Sequence, residues 1–360
     1  MPIFDQGYQH WQGHLAGHAW RWLAITRQGV RQQTRRRGTK WLIISAFVPA
    51  LALVGFLVFW GLLEQNSTLL QPIFALIQAL PEEIRNGPKA YRSAVWTYAF
   101  DIFFGFETFF SMLLVLAVGP DLVSQDLRFN AFPLYLSRPL RRIDYFAGKL
   151  GVIAVFLGIV AIGPAVVAYA LGLAFSLDLG VVRDTWRLLV GSIVYGLIVV
   201  LSAGTLMLAI SSLSRNSRLV GATWIGLWVI SNVSSSVLQE TVKKDWCPLI
   251  SYTSNLDRLR SEMLDTESAR MKFLDLFLKG VTAGREAVRP RIFGGNRRRR
   301  GPAPPPDLDG MRNEHLVPEP LREPENMKHP WTWSAAVLGG LFVVSAWTLS
   351  TRVKSLDRLK

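Results

Sequence analysis

The sequence predicts an all-α integral membrane protein with six transmembrane helices. Three observations predict it. Six apolar runs each reach the 18–20 or so residues that a helix needs to cross hydrocarbon. Half of the 360 residues are hydrophobic, yet the net charge is +14. The basic residues are concentrated in the segments between the apolar runs, the distribution expected of a membrane protein with positive cytoplasmic loops. Helices are the expected form because backbone groups in lipid must be satisfied within the segment, and the alternation that barrel strands require is missing.

The six runs are Trp41–Leu63, Ser93–Gly119, Leu150–Phe175, Trp186–Leu213, Leu219–Val237 and Trp331–Leu349. With the N-terminus in the cytoplasm, segments 1–40, 120–149, 214–218 and 350–360 carry 18 Lys and Arg, against 5 in the two short outer loops 64–92 and 176–187. That asymmetry places both termini in the cytoplasm; the expected location is the cell (inner) membrane. The long segment 238–330 then faces outward; it holds 17 basic and 14 acidic residues, and long segments are exempt from the charge rule.

Residues 1–40 read as a cytoplasmic amphipathic helix in the headgroup layer, where tryptophan and arginine mix: Trp11, Trp20 and Trp22 with Arg21, Arg27, Arg31 and Arg35–Arg37. Residues 41–237 hold the first five spans, with a cytoplasmic loop at 120–148 between the second and third. In 238–330, Leu256, Leu259, Met263, Met271, Leu274 and Leu278 recur at near-helical spacing. They give an amphipathic helix lying on the membrane or on the other helices, or else packed in a small outer domain. From Val281 onward, Gly294-Gly295, Arg297–Arg300 and Pro304–Pro306 read as an extended linker. Residues 331–349 form the sixth span and 350–360 a cytoplasmic tail. Pro49 and Pro164 fall inside spans and are expected to kink them.

Several function classes are excluded. The basic residues do not form one polar domain, which argues against nucleic acid. The single cysteine, Cys247, permits neither an internal disulfide nor a CxxC site. His10, His14 and His18 would share a helix face, but Gly13 and Gly17 weaken that helix and only Asp5 lies near; they read as a polar interfacial face, and no metal site is assigned. The motifs GxxxxGK[ST], GxSxG and HExxH do not occur, so the chain carries no catalytic residue and no cofactor of its own. Asp101 and Glu107 fall in or at the edge of the second span. A carboxylate in hydrocarbon needs a partner, water or a proton. Asp101 reads as an outer-interface residue or, with Glu107, as part of a substrate pathway. Glu107, in FFGFETFF, is deeper; it reads either as part of a substrate or proton pathway or as a structural hydrogen-bonding group.

The most informative segment is the loop after span two: a short amphipathic helix, a proline-broken turn and a helix start. Leu122, Leu127, Phe129, Leu134 and Leu136 are its apolar contacts, and Asp121, Asp126, Arg128 and Arg138 its charges. It suits docking of a soluble partner, or serves as a positively charged connector. Its residues Gly119, Leu122-Val123-Ser124, Asp126-Leu127-Arg128, Leu136-Ser137-Arg138-Pro139-Leu140, Arg142, Tyr145 and Gly148-Lys149 resemble the coupling loop of type-2 ATP-binding-cassette (ABC) exporter permeases; Ala131 stands where many members have glycine. The resemblance implies a permease subunit that pairs with a second, identical permease and is driven by a separate cytoplasmic ATPase, which binds the ATP. It implies ATPase coupling through Asp121, Ser124, Asp126, Leu127, Arg128, Arg138, Pro139 and Arg142, and through Arg215 and Arg218 of the next inner loop. The competing readings are a membrane scaffold or assembly protein that recruits a cytoplasmic partner, and an ion-coupled secondary transporter. The latter would need more intramembrane charge than Asp101 and Glu107 supply, and internal repeats that are not seen.

Overall fold

The computed structural model describes residues 20–65, 67, 68, 71, 78, 81–131, 141–178, 180–242, 244–276 and 329–357. Among them there is helix and turn but no strand. Helix α1 spans Arg21–Thr34 and α2 Arg37–Glu64, with extended backbone at Arg36 between them. A short α3, Glu82–Asn86, leads into α4, Pro88–Val118, whose proline sits in the first turn, where a missing N–H costs nothing. Pro120 likewise opens α5, Pro120–Arg128, directly after Gly119. Then come α6, Arg142–Leu157, and α7, Gly163–Ser176, joined by a wide π turn over Gly158–Ile162. That turn is where the chain accommodates Pro164, which has no N–H for the regular ladder. Pro49, by contrast, lies within a continuous α2. The remaining helices are α8, Gly180–Leu213, α9, Ser217–Val242, α10, Tyr252–Leu264, α11, 266–276, and α12, Trp331–Asp357.

Five stretches are long and apolar enough to cross a membrane: α2, α4 with α5, α6 with α7, α8, and α12 as far as Arg352. They correspond to five of the six predicted spans. The sixth, Leu219–Val237, lies within α9, which at 26 residues is long enough but less apolar. The reason is local. Leu219, Ile225, Val229, Ile230, Val233 and Val237 form an exposed apolar face. The other face carries Asn232 and Ser235, which hydrogen-bond the chain that follows: Asn232 Oδ1 accepts from the Ser251 and Thr253 hydroxyls, each at 2.5 Å, and Ser235 Oγ donates to the Cys247 carbonyl at 3.1 Å.

This second face shows what the long segment does. After α9 the chain turns back through a 3₁₀ turn, Cys247–Ile250, and starts α10 beside the middle of α9, where the Ser251 hydroxyl caps the helix by accepting from Ser254 N. The Tyr252 hydroxyl hydrogen-bonds Ser202 of α8 at 2.9 Å. Leu256, Leu259 and Leu264 are buried, and α10 packs against α4, α8, α9 and α12. The predicted amphipathic helix is therefore two helices, divided at Asp265 in the left-handed conformation (φ 56°), and the first re-enters the bundle with its apolar face against the spans. Gly191 lets α8 approach this closely: a Cβ there would collide with the Met263 carbonyl. The linker 281–328, His10, His14 and His18 lie outside the described residues.

Around α8, the bundle also packs α2 between α4 and α7. Helix α1 lies along α6, where Gly148 leaves room: a Cβ there would sit 2.7 Å from Ile25 Cβ, and Thr26 Oγ1 donates to the Gly148 carbonyl at 3.0 Å. Exposed apolar side chains on α2, α9 and α12 are those expected to meet lipid.

Candidate functional site

At the end of the bundle where α4 passes into α5, the loop residues divide into two sets. The inward set fixes α5. The amides of Val123 and Ser124 donate to Ser211 Oγ of α8 at 3.2 and 3.0 Å, and that hydroxyl donates to the Pro120 carbonyl at 2.9 Å. Ser124 Oγ meets Ser217 Oγ of α9 at 2.8 Å. Asp126 accepts from Tyr145 Oη at 2.6 Å and pairs with Lys149 at 2.7 Å, both on α6. Asp121 pairs with Arg36, between α1 and α2, at 2.5 Å. Leu122 and Val123 are buried, and Leu127 packs against the core.

The outward set is cationic. Arg128 is exposed, with its guanidinium 5.6 Å from the ring of Phe129, which is itself exposed. Arg215 and Asn216 of the turn between α8 and α9, and Arg218 at the start of α9, are exposed too. With Asp121, Gln125 and Ser217 they line a recess of about 720 Å³. Asp121 is paired with Arg36, so the recess presents three arginines without a matching number of free carboxylates. Arg142 lies at the start of α6, partly covered. Arg138 and Pro139 lie outside the described residues.

Because Asp126 holds α5 to α6, replacing it removes an acceptor shared by two partners. Asp126→Ala is expected to lower stability by about 1–3 kcal/mol, read as a fall in Tm of the purified protein. An unchanged Tm would contradict the inward assignment.

Within the bundle, Asp101 accepts from Arg260 Nε of α10 at 2.8 Å, and Asp257 accepts from Arg260 Nη1 at 2.7 Å. Asp101 thus meets a cation from the re-entrant helix. Glu107 is 0 % exposed, and neither carboxylate oxygen has a hydrogen-bond partner among the described residues. Its neighbour Thr108 hydrogen-bonds Tyr195 of α8 at 2.7 Å.

The opposite end of the bundle holds a polar network for which sequence patterning gave no signal. Arg92 of α4, 2 % exposed, donates to both oxygens of Glu64 of α2, at 2.7 and 2.5 Å, and to Asp178 after α7 at 3.1 Å. Trp60 Nε1 and Ser176 Oγ also donate to Glu64, at 2.9 and 3.0 Å. The amide of Gly180 and the guanidinium of Arg92 hold the Asp178 carboxyl below the ordinary carboxylate range. The three charges come from positions 64, 92 and 178, two of them at the margins of apolar runs, where the sequence gives no sign that they meet.

Among the described residues no group of His, Cys, Asp and Glu is arranged to hold a metal ion. No curated protein and no solved structure matches the chain. A family model described as "ABC-2 family transporter protein" matches residues 30–283, which is more than two thirds of the chain and takes in every helix from α2 to α11. The chain therefore belongs to the ABC-2 transporter family, as a multi-pass membrane permease of an ABC transporter and not as its catalytic component.

Proposed function

We propose that this chain is the permease subunit of an ATP-driven exporter, that it pairs with a second identical copy, and that a separate ATPase docks on the face formed by α5 and the turn between α8 and α9. One observation carries the reading: α5 is fixed from behind by hydrogen bonds to α6, α8 and α9, while its free side and that turn present Arg128, Arg215 and Arg218 together. A rigid element with a cationic outer face suits an acidic groove on a soluble partner. A push on α5 is transmitted to α4, because the two are separated only at Gly119-Pro120, and to α8 through Ser211. ATP-driven movement of the partner then shifts the bundle between two arrangements, as a population shift biased by nucleotide. ATP and its chemistry reside in the partner, and this chain contributes no catalytic group.

In this reading α9 is the fifth of six spans, the termini and the α5 end are cytoplasmic, and the Glu64–Arg92 end faces outward. Cys247 is 0 % exposed and so is unsuited to reporting sidedness in the native protein. Lys244, exposed on the turn after α9, is suitable. In a Cys247→Ser background, Lys244→Cys is expected to react with an impermeant maleimide in intact cells, and Arg215→Cys only after lysis; the reverse pattern would overturn the orientation. The function itself is tested by recovering the tagged chain in mild detergent and measuring whether a nucleotide-hydrolysing subunit accompanies it.

A further inference from the structure

We propose that the face of α4 running from Tyr98 to Phe106, with α2 on one side and α10 on the other, is a binding site for a cationic amphiphile. This deepens the permease reading and rests on it. The apolar body lies in the groove between α2 and α4, and the positive head meets the Asp101–Arg260–Asp257 cluster.

Asp101 is nine residues along α4 from Arg92, which is about 14 Å at 1.5 Å per residue, so it lies well inside the span. Its side chain is nevertheless 28 % exposed, and that of Asp257 is 34 % exposed. Ionised side chains at this depth cost several kcal/mol against acyl chains and face a cavity or another protein instead. With both aspartates ionised, the cluster carries one cation and two anions, a net charge of −1. Arg260 engages Oδ1 of each aspartate. Gly105 adds no side chain over the guanidinium: a Cβ there would touch only Arg260, at 3.8 Å. The cluster is thus open on the α4 side and has a negative excess.

A groove of about 850 Å³ runs between α2 and α4, from Ser45 and Pro49 at one end to Trp60 at the other, with Phe273 of α11 over it. Its walls are aromatic and aliphatic apart from the Ser45 and Tyr98 hydroxyls. Tyr98, Ile102 and Phe106 line it at successive turns of α4, and Asp101 and Gly105 precede the last two by one residue each. Groove and cluster therefore share one continuous helix face, apolar beside and anionic beyond. A long apolar cavity with a few convergent polar groups is the form of a small-molecule site. Charge decides the occupant. A lipid tail alone would leave the cluster against hydrocarbon. A second copy seated on this face about a two-fold axis would oppose two clusters of net −1, which is relieved when a cation lies between them. An alkyl chain ending in an ammonium group satisfies both regions at once.

The test uses the tagged full-length chain with whatever ATPase accompanies it, in phosphatidylglycerol nanodiscs, with empty discs subtracted. The probe is radiolabelled dodecyltrimethylammonium, compared with dodecyl sulfate and with dodecylphosphocholine. Saturable binding of the ammonium probe is expected, at least about tenfold tighter than the sulfate, a difference of about 1.4 kcal/mol. Asp257→Asn, which leaves Arg260 paired with Asp101, is expected to weaken the ammonium probe about tenfold and the sulfate little. Phe106→Ala, at an exposed position, is expected to weaken every chain-bearing probe about fivefold. Tight binding of dodecylphosphocholine as well identifies a lipid-type headgroup as the source of the ammonium; binding of the simple cation alone identifies a free amphiphile. Equal binding of ammonium and sulfate, or ammonium binding unmoved by both Asp257→Asn and Phe106→Ala, overturns the site. The ATPase is scored on the same sample. Its absence sinks the permease reading, whereas a complete complex with no saturable binding sinks this inference alone.

Discussion

Arg92→Ala is expected to cause the largest loss of stability of any single change in this protein. The Glu64 side chain is 1 % exposed and keeps only the Trp60 and Ser176 donors once the guanidinium is gone. Removing one member of a buried ion pair costs about 3–5 kcal/mol, because the remaining charge is left uncompensated. Helices α2, α4 and α7 would lose their common tie at that end. The measurement is thermal unfolding followed by tryptophan fluorescence in nanodiscs, with recovery of folded protein as a second readout. Arg92→Met combined with Glu64→Gln should regain much of the loss, since no buried charge is then unpaired. If the single substitution leaves Tm unchanged, the network is not structural. The pH dependence has a definite sign. Asp178 has a depressed folded-state pKa, so its contribution is present above the ordinary carboxylate value of about 4 and is lost as pH falls through the folded value. The wild type should therefore lose stability in acid more steeply than Arg92→Ala does. Asp178 is partly exposed, so its share is small.

The second large effect is on association. Reversing Arg128, Arg215 and Arg218 to Glu turns the recess from cationic to anionic without touching a buried contact, because all three side chains are exposed. Like-charge juxtaposition across an interface costs several kcal/mol. The triple variant should lose more than about 100-fold in affinity for the ATPase, an effect of about 3 kcal/mol, with Tm within about a degree of wild type. Asp126→Ala gives the opposite pattern, with a lower Tm and an outward face chemically unaltered. The contrast separates residues that hold α5 in place from residues that meet a partner.

The fold was legible where a single physical signal dominates. Five long apolar runs became five long helices, and Pro164 marked the break between α6 and α7, because length in hydrocarbon and a missing N–H act locally. The loop after α4 was legible as an amphipathic element, but not which charges face outward. Asp126 and Arg128 are two residues apart and look equivalent in the sequence; only the positions of Tyr145 and Lys149 on α6 decide that one is a tie and the other a surface group. Helix α10 was legible as amphipathic and illegible as re-entrant. Its apolar face fits a membrane surface as well as a helical bundle, and the partners that choose between them, Ser202, Asn232 and Asp101, lie 21 to 159 residues away in sequence. The Glu64–Arg92–Asp178 network was hidden for the same reason. Charges at the margins of apolar runs usually mark an interface, and nothing local distinguishes those that are buried and paired.

ATP turnover by the complex recovered with the tagged chain from its native membrane tests the exporter assignment and the docking face together. Expected are a stoichiometric P-loop ATPase, vanadate-sensitive hydrolysis in the eluate, and loss of both from the Arg128, Arg215 and Arg218 reversal variant while the permease stays folded. A folded permease recovered repeatedly without an ATPase in gentle lipid particles, or one whose ATPase stays bound to the reversal variant, would contradict them.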